Sequence, residues 1–194
     1  MWNLGLLGAA GAAPAFSSAM EYLGVATSTT GNETTLGFTS GGVWANYDHI
    51  QFRINARTSD YNTVGGDWLN AKLNGSSSGT SHGYNAGGTG ISGSQFGGTA
   101  DGIYIYAACL ATNDQANFMA FTTLDILDIN SNNPKVYKSI GGSAAVNTGY
   151  PRVNLNSGVW TAVTSPATSI EFTPYNGTKF AIGSRITAYG IKGA

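Results

Sequence analysis

Charge is what this chain has least of: nine Lys and Arg and ten Asp and Glu are spread over 194 residues, about a tenth of the total where soluble domains usually carry roughly a quarter. The formal net charge is −1 and the basic residues are scattered singly. That leaves no electrostatic footprint for a phosphate backbone, so nucleic acid is not expected as a partner. Weak mutual repulsion also favours association between copies. Cysteine occurs once, as Cys109. An internal disulfide is ruled out, and its place in the apolar run Ile103 to Leu110 suits a small buried hydrophobe better than a reactive thiolate. Histidine occurs twice, and no Gly-x-Ser-x-Gly elbow, His-Glu-x-x-His pair, phosphate loop or paired-Cys motif is present.

A continuous hydrophobic span is missing too. Residues 1 to 19 carry no charge, but Gly5, Gly8, Gly11 and Pro14 interrupt them and Gly24 follows. A membrane-spanning helix needs about 20 mostly apolar residues in a row, so no span is expected. The leader also lacks the basic n-region of a secretory signal. A segment of small residues buries too little surface by itself to offset the backbone entropy of ordering. Residues 1–20 therefore read as a docking arm, with Trp2, Leu4, Leu6 and Leu7 entering a groove on another subunit and the glycines allowing close approach. The plainer alternative is an ordinary first strand packed on its own domain.

What the chain does have is glycine, 28 of them, together with many Ser, Thr and Asn residues between short alternating runs. Tyr47 to Arg57 is the clearest run. Ile50, Phe52, Ile54 and Ala56 share one face, while His49, Gln51, Arg53, Asn55 and Arg57 share the other. The same logic predicts strands at Tyr22–Ala26, Thr34–Phe38, Trp68–Leu73, Ile103–Ala108, Phe118–Leu127, Val136–Ile140, Arg152–Leu155, Val159–Val163, Ser169–Thr173 and Arg185–Ile191. Asn74-Gly75 and Asn176-Gly177 are short-turn dipeptides. The fold class implied is all-β, an antiparallel jelly-roll-like sandwich of about eight to ten strands, forming one domain over residues 21–194. Gly75 to Ala100 departs from this plan. It has no charged residue and nine glycines, a composition resembling a linker, and is read as a long surface excursion between two strands. Tyr84 and His82 are its candidate ligand contacts for a neighbour or a glycan; a mobile loop without a ligand is the alternative.

Catalytic and metal-binding groups are sparse. Asp48 and His49 point to opposite faces of a strand and cannot act as a pair. Asp125 and Asp128, three apart in a presumed strand, make no working acid pair. Asp128, Asn130 and Asn132 follow the first half of a calcium loop, but Asn133 replaces the glycine expected sixth and no acid stands twelfth. An Asn-rich turn ahead of Pro134 is the simpler reading, so neither metal nor cofactor is expected. Trp44, Trp68, Trp160 and the ten tyrosines offer stacking surfaces for sugars, although most such rings in a strand domain lie in the core.

Five stretches carry a resemblance: Met1 to Ala9 (Met-Trp-Asn-Leu-Gly-Leu-Leu-Gly-Ala), Tyr47 to Arg53 (Tyr-x-His-Ile-Gln-Phe-Arg), Leu124 to Asp128, Ser157 to Trp160, and Gly183 to Lys192. In this order they resemble small virion structural proteins, tail-fibre-like or minor structural, of tailed phages of aquatic bacteria, including cyanophages. The resemblance covers both ends and the middle of the chain, with Gly75 to Ala100 as a variable insertion. It implies a non-catalytic role in the virion, assembled in the host cytoplasm. The expected place is a tail fibre, appendage or host-contact element, with capsid decoration or a carbohydrate-binding module as alternatives. A homotrimer whose leader clasps other capsid or tail proteins fits the same picture.

Overall fold

The computed structural model describes residues 19–60, 67–87, 90–97, 103–109, 119–143 and 152–192. They form strands β1 (Met20–Thr27), β2 (Leu36–Thr39), β3 (His49–Ala56), β4 (Asp67–Leu73), β5 (Thr80–Gly87), β6 (Gly90–Gly97), β7 (Ile103–Cys109), β8 (Ala120–Ile126), β9 (Lys135–Ser143), β10 (Arg152–Trp160), β11 (Ser169–Pro174) and β12 (Arg185–Ile191). A 3₁₀ turn spans Val43–Asn46. One sheet runs β1-β12-β3-β8-β9-β10-β5-β6 and the other β2-β11-β4-β7. Each early strand pairs with a late one, β1 with β12, β2 with β11, β3 with β8 and β4 with β7, all antiparallel. Nested pairing of this kind is the wrapping of a jelly roll. The expected all-β sandwich is thus observed, with the edge strand β7 of the smaller sheet packed across β3, β8, β9, β10 and β5 of the larger one.

Alternation explains the core. Ile50, Phe52, Ile54 and Ala56 are all fully buried, as their shared face requires. Phe52 of the large sheet meets two rings of the small one, with centroids 5.5 Å from Phe38 and 5.4 Å from Phe172, and lies 6.3 Å from Trp44 of the 3₁₀ turn. Toward the extended end, Tyr137 packs on Trp160 at 4.8 Å. The Trp160 indole N–H donates to the Ala71 carbonyl at 3.4 Å, tying β10 to the smaller sheet.

Three expectations need correction. The described residues form twelve strands rather than about eight to ten, largely because the glycine-rich stretch supplies two. The runs Arg152–Leu155 and Val159–Val163 are not separate strands: Gly158 does not end the first, and β10 continues through it to Trp160. Gly158 keeps the pairing with Tyr137 and Ser81, and its bare Cα leaves room for the Tyr137 ring. The Gly75–Ala100 stretch is no unpaired loop either. Its β5–β6 hairpin adds two strands to the edge of the large sheet. Composition conceals this, since a glycine-rich strand shows no apolar alternation while its backbone still completes the ladder. The turn at Asn74-Gly75 forms as predicted, with φ of 51° and 73°. Asn176-Gly177 works differently, as a cradle for Asp67.

The two ends of the described fold meet. The Lys192 amide donates to the Ala19 carbonyl at 3.1 Å, and its ammonium reaches Glu21 at 2.6 Å.

Candidate functional site

The outer face of the large sheet is built from transverse rows, since residues directly opposite in neighbouring strands point the same way. One row runs Tyr22, Tyr189, Gln51, Asp125, Lys138, Ser157, His82. Its members hold one another. Gln51 Nε2 donates to Asp125 at 2.8 Å, Lys138 lies 3.8 Å from the same carboxylate, and Arg53 of the neighbouring row sits 4.8 Å over the Tyr189 ring.

Beside this polar row the pattern inverts. In β9 the buried positions are Lys135, Tyr137, Ser139 and Ser143, while Val136 and Ile140 face outward. In β10 Asn154 and Asn156 are buried, while Val153 and Leu155 face outward. Exposure reaches 57% at Ile140, 53% at Leu155, 58% at Val153 and 49% at Phe121 of β8. Register makes them contiguous: Ile140 stands opposite Leu155, Phe121 and Val153 flank Gly142 from either side, and Thr123 completes the Ile140 row. A depression of about 240 Å³ lies among Asp125, Lys138, Ser139, Ile140 and Leu155. A one-residue slip of β10 would bury Val153 and Leu155 and release Asn154 and Asn156. The fold instead keeps the amides inside at a cost. Asn156 donates to Ser139 at 3.0 Å, whereas both side-chain polar atoms of Asn154 have no partner among the described residues.

The sequence-predicted residues are distributed unevenly over this frame. Trp2, Leu4, Leu6 and Leu7 lie outside the described residues. His82 is exposed on β5, at the end of the polar row. Tyr84 stands opposite Leu155 in the backbone register, and its side chain lies outside the described residues. Cys109 pairs through its backbone with Asp67; its side chain is likewise outside them. Trp44 and Trp160 belong to the core. Trp68 instead joins Tyr175, stacked at 5.1 Å and 22°, with the Tyr104 ring 4.6 Å from Tyr175. Sequence reasoning misses the aliphatic face itself. The alternation Val-Asn-Leu-Asn over Val153–Asn156 is its signal, but periodicity gives the faces without saying which one is inside.

Carboxylates elsewhere are absorbed by the backbone. Glu33 accepts from the Ser28 hydroxyl at 2.6 Å and from the amides of Thr29, Thr30 and Asn32, and these bonds, that of Ser28 foremost, hold its carboxyl well below the ordinary range. Asp67, fully buried, accepts from the amides of Asn176 at 2.9 Å and Gly177 at 2.8 Å. Asp60 holds the amides of Thr178 and Lys179 and the Thr178 hydroxyl; burial acts to raise its pKa, but these bonds outweigh it and keep the group low.

The calcium-like turn is filled from within. Lys135, fully buried, donates from Nζ to the carbonyls of Ser131 at 2.6 Å and Asn133 at 2.7 Å. Burial pushes this ammonium's pKa down, and the nearby Asp128 opposes that. Asn130, a nominal ligand, donates its amide to the Trp44 and Tyr47 carbonyls. Asp128 offers its backbone N–H to His49 Nδ1 at 2.9 Å. No group of three or more His, Cys, Asp or Glu side chains is gathered around one point among the described residues. No helix among them is long and apolar enough to cross a membrane.

No protein-family model matches the chain, and neither the curated proteins nor the solved structures contain a match to it.

Proposed function

We propose that this chain is a non-catalytic structural subunit of a bacteriophage particle surface, a tail-fibre or appendage element that contacts the host, with capsid decoration as the variant placement. The phage assignment rests on the sequence resemblance. The structural role is supported by one observation: β9 and β10 turn Val136, Ile140, Val153 and Leu155 outward while Asn154 and Asn156 of β10 are buried, a polarity suited to a covered outer face. Residues 1–20 are the anchor to other capsid or tail proteins, through Trp2, Leu4, Leu6 and Leu7. Apolar burial supplies the attachment, at about 25 cal/mol per Å² before association costs. A trimer of such subunits is the arrangement that the resemblance implies. The test is the quadruple variant Trp2→Ala, Leu4→Ala, Leu6→Ala, Leu7→Ala in the full chain. It is expected to fold and to be missing from purified particles by mass spectrometry; incorporation at wild-type copy number would refute the anchor.

A second reading, carbohydrate binding, is favoured by the Trp68–Tyr175–Tyr104 cluster, whose Tyr175 is 37% exposed. Such rings stack on the apolar faces of sugars. Selective signals on a glycan array that vanish with Tyr175→Ala would support it, and a blank array would dismiss it.

A further inference from the structure

We propose that the outer face of β9 and β10 pairs with the same face of a second copy about a twofold axis that runs above the line between these strands and parallel to them. The inference rests on the covered-face role proposed for the subunit and names the partner of that face. A twofold contact is self-complementary, so each residue must suit the one that the rotation delivers. With the axis between β9 and β10, Ile140 of one copy meets Leu155 of the other, twice, and these two are among the most exposed aliphatic side chains in the described fold. Val153 meets Gly142, a position with no side chain to oppose it. Lys138 meets Ser157. One strand further out, Asp125 meets His82, the carboxylate facing an exposed imidazole.

The contact therefore has an apolar centre and a complementary polar rim, the layout of protein interfaces generally. The depression beside Ile140 and Leu155 gives the partner's aliphatic side chain a seat. An axis between β8 and β9 would instead set Ile140 against Thr123 and Leu155 against the exposed Arg53, so the register favours the β9–β10 placement. Face-to-face sheets with nearly aligned strands are an ordinary packing mode. With a net charge of −1 per chain, little repulsion opposes it.

The experiment is size-exclusion chromatography with light scattering on the full chain, alongside Ile140→Asp and Leu155→Lys variants whose folding is checked by circular dichroism. Both sites are more than half exposed, so the fold should survive either change. Wild type is expected at twice the mass of each variant. Mixing the two variants should restore the doubled mass, because the carboxylate introduced at position 140 of one chain then faces the ammonium introduced at position 155 of the other. A mass untouched by the substitutions, or a mixture that stays at half mass, overturns the pairing. If the mass is unchanged while the variants are lost from particles, the face serves a different partner; the self-pairing falls and the covered-face role stands.

Discussion

At the scale of single residues, polar groups in this protein are occupied with shaping turns. Glu33 organises the segment after β1 by accepting from Ser28, Thr29, Thr30 and Asn32. Because its carboxyl is held below its ordinary 4.5 in the folded chain, its contribution is fully present above that value and is lost as pH falls toward the folded pKa. Glu33→Gln should thus lower the urea midpoint at pH 7, and the gap to wild type should close on acidification below about 4.5. Lys135 makes the opposite kind of commitment, a buried ammonium among backbone carbonyls. Lys135→Met strands those carbonyls and should cost about 1–3 kcal/mol in chemical denaturation. Wild type should melt at the same temperature with calcium or with a chelator, since the ammonium already fills the turn. The sequence displays the calcium-like spacing and its flaw at Asn133, but not the lysine that fills it. Lys135 follows Pro134 at the start of a strand, and nothing in its spacing says that its side chain folds back.

At the scale of elements, legibility follows apolar alternation. β3 can be read residue by residue from its sequence, because four apolar side chains share one face and four polar ones the other. β5 and β6 cannot, because their ladder is made by backbone groups that composition does not report. β9 and β10 are recognisable as strands but not as inverted ones; only their neighbours decide which face is covered. Glycine does two separable jobs in these elements and their connections. At Gly190 a Cβ would lie 2.5 Å from the Tyr47 ring, whose hydroxyl donates to Glu21 at 2.6 Å. Gly190→Ala must displace that ring and should cost about 1–3 kcal/mol. Gly42 has open space around it but a φ of 87°, so Gly42→Ala meets only backbone strain of about 1–2 kcal/mol. Thermal melts of the two variants separate crowding from conformation.

At the scale of the whole molecule, an aromatic cluster joins the two sheets near their β1 and β2 ends: Phe52 with Phe38, Trp44 and Phe172. Phe52→Ala removes the ring on which both layers close and should cost about 3–5 kcal/mol. The loss should appear as one cooperative transition by both tryptophan fluorescence and circular dichroism. The overall class is legible because many short alternating runs punctuated by Gly and Asn admit few other architectures. The candidate face is not, because which side of β9 and β10 faces outward emerges only when the sheets have stacked. The width of the larger sheet has a geometric result. Ala19 and Lys192 sit together beside β1, at one edge of the large sheet, and the β5–β6 hairpin forms the opposite edge, seven strand spacings or about 34 Å away. If the leader is the anchor proposed above, the hairpin is the sheet border remote from it, the one left free to meet something else.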